Sequence, residues 1–232
     1  MRLDKYLSQA TGISRKEIHR IMHRGDVSLN GSEALNPAVQ VAPGVDTICL
    51  NDAPVAAPGP RYLMLFKPLG YVSASDDPSH PTINSLVDLP RNDGLHCCGR
   101  LDIDATGLML LTDDGKWSHR ITSPRHKLPK RYRVETADPI DAAAVQAFND
   151  GLKLHGEHRL TKPAELEILA PREAIVYLTE GRYHQVKRMF AALGNKVIRL
   201  HREQIGPIVL DPALEPGEYR FLTDAEIASI KP

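Results

Sequence analysis

The chain has 232 residues, 42% of them apolar, with 29 basic and 29 acidic side chains and a formal net charge of zero; that is enough apolar material for a packed core and room for a medium domain plus a small one. No run approaches the ~20 consecutive apolar residues of a membrane span, and Met1-Arg2-Leu3-Asp4-Lys5 carries an early acid and no apolar signal core, so a cytoplasmic protein with no membrane partner is expected. Cys49, Cys97 and Cys98 are odd in number and lack metal-type spacing, which argues against both a disulfide framework and a zinc site.

In chain order, Ser14-Arg15-Lys16-Glu17 is a capping-box pattern and predicts a helix running to Arg24, with Gly25 as its stop. Ile18, Ile21 and Met22 fall on one side of it, and Arg15, Lys16, His19, Arg20 and His23 on the other. One face is core and the other basic. Val27-Ser28-Leu29 then leads into Asn30-Gly31, a two-residue hairpin signal, and Val45 to Leu50 supplies a later strand. Asn51 to Pro60 carries three prolines and little to bury, and reads as a linker. It divides the chain into 1–57 and 58–232.

Beyond the linker, strands are predicted at Tyr62 to Phe66, His96 to Cys98, Leu108 to Leu111, Arg131 to Thr136, Ala164 to Leu169, Ile175 to Thr179 and Val197 to His201. Helices are predicted at Asp141 to Asn149, stopped by Gly151, and at His184 to Leu193, where Val186, Met189, Phe190 and Leu193 form an apolar stripe. Thr223 and Glu226 form a second capping-box pattern before a short terminal helix. Strands outnumber helices without regular alternation, so the fold class is α+β and not doubly wound.

Neutral net charge argues at first against a nucleic-acid partner, but the distribution argues for one. Lys116, Arg120, Arg125, Lys127, Lys130, Arg131 and Arg133 lie in a stretch without acids, as do Arg182, Lys187, Arg188, Lys196, Arg199 and Arg202. Two such runs predict a local positive surface suited to a polyphosphate; the plainer reading is a solvated face.

The most informative stretch is Gly99-Arg100-Leu101-Asp102-Ile103-Asp104-Ala105-Thr106-Gly107, which delivers Asp102 into a glycine-bounded loop between two strands. A lone aspartate there is ordinarily a turn or cap residue. The loop, however, is followed in order by Lys130-Arg131-Tyr132-Arg133-Val134 and by Glu180-Gly181-Arg182-Tyr183-His184-Gln185-Val186-Lys187-Arg188-Met189. Together the three segments resemble the pseudouridine synthase family over residues 61 to 222, with Ala105 standing where the family usually has Thr or Ser. The resemblance implies a mixed, mainly antiparallel sheet, Asp102 acting on the glycosidic bond of a uridine in RNA, Tyr132 stacking on the target base, and Lys187 as the basic partner of Asp102. It also implies RNA contacts from Arg100, Lys130, Arg182, His184, Gln185 and Arg188.

The chemistry supports those roles. The reaction breaks the bond from C1′ to N1, rotates the base and rejoins it through C5, with no redox step, so neither cofactor nor metal is expected. It needs a carboxylate that stays ionised, which a neighbouring cation secures. Attack at C6 of the base and at C1′ of the sugar both remain open. A base inside folded RNA must be flipped out and its lost stacking replaced by an aromatic surface; Tyr132 is the candidate, and its phenol a candidate for removing the C5 proton. Asp104 reads as a loop cap in preference to a second glycosidase-type carboxylate. Asp113-Asp114-Gly115 reads as a turn in preference to a metal site, and the histidines show no ligand spacing.

Residues 1 to about 50, with a short helix, a basic helix, an Asn-Gly hairpin and a strand in order, resemble the ribosomal-protein-S4-like RNA-binding domain, which implies phosphate contacts from Arg15, Lys16 and Arg20. Asp113 to Arg120 and Ser123-Pro124-Arg125-His126 resemble the bacterial small-subunit (RsuA-type) branch, implying 16S rRNA, or an assembling small-subunit particle, as partner and uridine 516 as target. A large-subunit 23S enzyme of the same branch and a non-catalytic rRNA-binding assembly factor are the rivals; a metal-assisted hydrolase is a third class. With no evident apolar patch, a monomer is the default.

Overall fold

In the computed structural model, which describes residues 1–89, 92–123 and 128–231, the Ser14 hydroxyl accepts from the Glu17 amide and opens helix α2 (Arg15–His23), while α1 spans Leu3–Thr11. Strands β1 (Val27–Leu29), β2 (Ser32–Glu33), β3 (Ile48–Leu50) and β4 (Ala53–Pro54) form an antiparallel sheet in the order β2-β1-β3-β4. Asn30 and Gly31 both take positive φ, 51° and 80°, as a primed hairpin turn requires. Leu3, Tyr6, Leu7, Ile18, Met22, Val27 and Ile48 make the core of this unit.

Two expectations are corrected here. Asn51 and Asp52 also take positive φ, 50° and 62°, and turn the chain back into β4, so the first half of the presumed linker is a turn and a two-residue strand, after which the Val55 amide bonds Ile48 O. The strand expected from Val45 begins only at Ile48; Val45 lies in a turn, 81% exposed. By its contacts the chain divides into Met1–Pro60 with Asp88–Asn92, and Arg61–Val87 with Asp93–Pro232.

The basic face of α2 is not uniformly free. Asp4, fully buried, accepts from Arg2, Arg15 (2.6 Å) and His19 (3.0 Å). Burial opposes its charge, but these three donors override it and hold the carboxyl well below the usual range. Arg15 is thus spent on an internal carboxylate. Arg20 pairs with Glu17 and stays exposed, as does Lys16.

The second unit is built on one large mixed sheet. Its strands are β5 (Tyr62–Lys67), β6 (His96–Cys97), β7 (Thr106–Thr112), β8 (Lys130–Thr136), β9 (Glu165–Ala170), β10 (Glu173–Leu178), β11 (Val197–Ile205), β12 (Ile208–Val209) and β13 (Tyr219–Phe221). Among the described residues the order is β13-β5-β7-β11-β8-β10-β9, with β12 on β11 and β6 on β7. Every pairing is antiparallel except β11 with β7. Met64, Leu108, Leu110, Trp117, Ile121, Ile205 and Ile208 pack one face.

Helices α3 (Gly115–Thr122), α4 (Ala143–Asp150), α5 (Gln185–Ala192) and α6 (Asp224–Ser229) complete the unit. The capping box before α6 forms as its pattern predicts. Asp114 does not sit in a turn: it caps α3, accepting from the Lys116 and Trp117 amides, because an aspartate before a helix satisfies exposed donors better than a turn does. Asp113 instead pairs with Arg61. Pro124, Arg125, His126 and Lys127 lie outside the described residues.

The two acid-free runs acquire acids from elsewhere. Arg131 and Arg133 meet Glu203, Arg133 also meets Glu173, Arg182 and Arg188 share Glu157, and Arg199 meets Glu135. Acids distant in sequence are brought alongside by strand pairing and loop return, so much of the expected positive surface is internally paired.

Candidate active site

The segment from Cys98 to Ala105 connects β6 to β7, antiparallel neighbours, and passes beside the first residues of β7, where β11 joins in parallel. Its path is fixed by its own carbonyls. Arg202 of β11, only 2% exposed, donates to Arg100 O (3.1 Å) and Leu108 O (2.8 Å). Lys67 of β5, fully buried, donates to Ala105 O (2.7 Å), Pro68 O and, at 3.4 Å, Ile103 O. Ser73 closes on Leu101 from both sides, its hydroxyl donating to the carbonyl and accepting from the amide.

These anchors follow from register. Lys67, Gly107, Arg202, Tyr132, Val176 and Leu166 are successive cross-strand partners on β5, β7, β11, β8, β10 and β9, and so share one face of the sheet. Gly107 sits between the two cations. A Cβ there would lie 2.2 Å from the Arg202 carbonyl oxygen, and its φ is 110°. Only glycine admits that approach.

Among the described residues neither Lys67 nor Arg202 forms an ion pair, so both buried cations face the loop through its carbonyls. Burial lowers the Lys67 ammonium to about 8; Asp104 and Asp102 oppose the fall, and Arg202 and Lys187 deepen it. Asp102 projects from this frame, 24% exposed at its side chain. Lys187, on the first turn of α5, donates to Asp102 Oδ2 at 2.9 Å and also to Asp104 Oδ1. Desolvation works against the Lys187 charge, yet the two carboxylates prevail and raise its pKa; Asp104, opposed likewise by burial, is lowered by Lys187.

Asp104 is therefore an ion-pair partner of Lys187 and not the loop cap expected from sequence: the tight turn, with the Ala105 amide on Asp102 O, points both acids toward α5. Ala105, with no hydroxyl, is fully buried, and its carbonyl serves Lys67.

His184 brings its Nε2 to 3.5 Å from Asp102 Oδ1. It stands at the N-terminus of α5 with φ 48° and ψ 36°, and its ring stacks on Tyr183, centroids 3.8 Å apart and planes 19° from parallel. Tyr132 faces Arg202 across the strands and is only 8% exposed, while Tyr183 is 76% exposed.

The other expected RNA contacts divide. Arg100 is exposed. Lys130 is half-buried, with its ammonium on Leu128 O. Arg182 binds Glu157, Arg159 O and Leu160 O; Arg188 binds Glu157 and His155 O; Gln185 is buried against Glu180. These three hold the 155–162 loop against the start of α5. Among the described residues no group of three or more His, Cys, Asp or Glu is placed to hold a metal ion, and no helix is long and apolar enough to cross a membrane.

Residues 61–192 match the family model for RNA pseudouridylate synthase. The chain belongs to the RNA pseudouridine synthase family. It is 51% identical over 231 residues to the ribosomal small subunit pseudouridine synthase A of Escherichia coli K12, covering 99% of this chain and all of that one. The Yersinia pestis protein of the same name is 50% identical over 230 residues, covering 99% and 98%. A crystal structure of a pseudouridylate synthase, 46% identical, matches over the full length of both chains with a TM-score of 0.73.

Sequence reasoning missed Lys67, Ser73 and Arg202 as members of this pseudouridine synthase site. Only Lys67 left a trace, a charge ending the apolar run Tyr62 to Phe66. Ser73 and Arg202 act on the loop through backbone atoms, which no side-chain motif records.

Proposed function

We propose that this pseudouridine synthase isomerises one uridine of 16S rRNA, with uridine 516 as the target. The observation that carries the activity is the Asp102 carboxylate held 2.9 Å from the Lys187 ammonium on a loop braced by Lys67 and Arg202. The names of the full-length relatives support the small subunit as substrate.

Asp102 acts as nucleophile on the target uridine, at C6 or at C1′, and Lys187 keeps its charge fixed in direction. The bond from C1′ to N1 breaks, the base turns, and C1′ bonds to C5; the C–O bond that Asp102 formed breaks again, at C1′ as C5 displaces the carboxylate or at C6 as the carboxylate is eliminated, so Asp102 is released unchanged. The C5 proton then leaves while N1 takes one up, so atoms balance without an external reactant. Tyr132, in the row beside Arg202, borders the base, and its phenol relays the C5 proton, passing its own hydroxyl proton to solvent as it accepts the one from C5. Arg100 meets the displaced strand. Residues 1 to about 50 serve as an S4-like RNA-binding unit whose Lys16 and Arg20 lie against phosphates.

Tritium release from 16S rRNA transcripts labelled at uridine C5 tests this. Wild type is expected to release label and Asp102→Asn to release none; equal release by both refutes the assignment. Mapping modified sites in a deletion strain tests the target, and loss of a 23S site with 16S intact would transfer the substrate to the large subunit.

A further inference from the structure

We infer that the Tyr183 ring is a stacking platform for an unpaired nucleobase adjacent to the target uridine. The inference rests on the proposed isomerisation, because it names part of the RNA that the same site receives. Tyr183 is 76% exposed, an uncommon place for a tyrosine ring with one face already covered by another ring. The covering ring is His184, whose Nε2 is 3.5 Å from the nucleophile. Asp102, His184 and Tyr183 therefore form a short column, with the reacting carboxylate at the inner end and an open aromatic face at the outer end.

Hydrogen bonds brace the backbone that carries the column. The Arg182 amide donates to Gln185 Oε1 at 2.8 Å, the Arg188 amide to His184 O at 2.9 Å, and the Arg188 guanidinium to Tyr183 O at 3.1 Å. His184 holds a left-handed conformation that side chains with a Cβ rarely adopt, and such outliers persist where the surroundings fix them. It is this conformation at the entry to α5 that accompanies the stacking of the two rings.

A nucleotide flipped toward Asp102 leaves its neighbour without one stacking partner. An aromatic face one ring away from the nucleophile replaces that partner, and does so for any base, since every base has a π-face. Tyr132, 8% exposed, is assigned to the target base itself, which leaves the neighbouring base to a second ring.

The test uses the full chain with two probes: the C5-tritiated 16S transcript, and a short single-stranded oligoribonucleotide of the target sequence with 2-aminopurine beside the target uridine. Tyr183→Ala is expected to raise KM for the transcript about tenfold, with a smaller effect on kcat. Tyr183→Phe and Tyr183→Trp restore KM, because the ring and not the hydroxyl is used. Wild type quenches 2-aminopurine on binding and Tyr183→Ala does not. An unchanged KM in Tyr183→Ala, a Phe variant as weak as Ala, or equal quenching overturns the platform. Should wild type release no tritium, the isomerisation reading fails by itself, and the quenching comparison still decides the platform.

Discussion

At the scale of single residues, the Asp102 loop is arranged by buried groups that bond its main chain. Lys67 is the clearest, a fully buried ammonium whose hydrogen bonds among the described residues all go to main-chain carbonyls. Its folded pKa of about 8 lies below the ordinary 10.5, so between those values the unfolded chain binds more protons than the folded one. The Lys67 contribution to stability therefore rises with pH across that window, by up to about 3 kcal/mol for a shift of this size. Burial raises the Cys97 and Cys98 thiols, whose contributions fall with pH above about 9, so the Lys67 effect is read as a difference between proteins. In urea unfolding at pH 7.5, 8.5 and 10, the stability of wild type relative to Lys67→Met is expected to increase with pH; a difference that does not change with pH would mean that the ammonium is adequately solvated where it sits.

Asp104 makes the complementary point. In the sequence it is one more acid in a loop, yet in the fold it shares Lys187 with Asp102. Asp102 and Lys187 were legible because their motifs stand in a recognisable order. The role of Asp104 depends on the direction in which a turn aims it, and no spacing rule contains that.

At the scale of elements, the junction of β7 and β11 decides where the Asp102 loop lies. It is the parallel pairing in an otherwise antiparallel sheet, and it brings Gly107 against the Arg202 backbone. Gly107→Ala would force a Cβ into the Arg202 carbonyl, and a destabilisation above about 3 kcal/mol is expected in urea melts. Gly99, with φ 92° but nothing within 4 Å of an added Cβ, is the control. There Ala is expected to cost about 1–2 kcal/mol, the intrinsic penalty of the conformation. Equal costs at the two positions would show that close approach contributes nothing.

Several elements could be read directly. Thr223 and Glu226 form the full capping box, Ser14 caps α2 while Glu17 turns to Arg20 instead of completing the box, and Asn30-Gly31 makes its turn, because caps and primed turns are local in sequence. The turn at Asn51-Asp52 was hidden by the neighbouring prolines, and α3 by the resemblance of Asp114-Gly115 to a turn. In both places one short string is compatible with two local structures, and tertiary packing chooses. For α3 the choice is made by Trp117, whose indole donates to Ile227 O within the core, and by the Tyr62 hydroxyl on Asp114.

At the scale of the whole molecule, Asp102, Tyr132 and Lys187 belong to one unit and the basic α2 to the other. Residues 1–57 contain no member of the Asp102 constellation. A chain lacking them, shown to be folded by its circular dichroism, is expected to retain slow tritium release while needing at least about tenfold more RNA, since phosphate contacts contribute affinity and little readout. No turnover at any RNA concentration from the folded truncation would assign the first unit a part in the chemistry.

Charge was the property least legible at this scale. The acid-free runs suggested a broad positive surface, but Glu157, Glu173 and Glu203 return to neutralise Arg182, Arg188, Arg131 and Arg133. What the sequence determined by itself was the family, the α+β class and the pairing of Asp102 with a cation on a later helix, because these rest on ordered motifs and on periodicity. The tertiary structure alone decided how that carboxylate is held. Lys67 and Arg202 reach it through carbonyl oxygens, and those contacts exist only after strands far apart in the chain have aligned in one row.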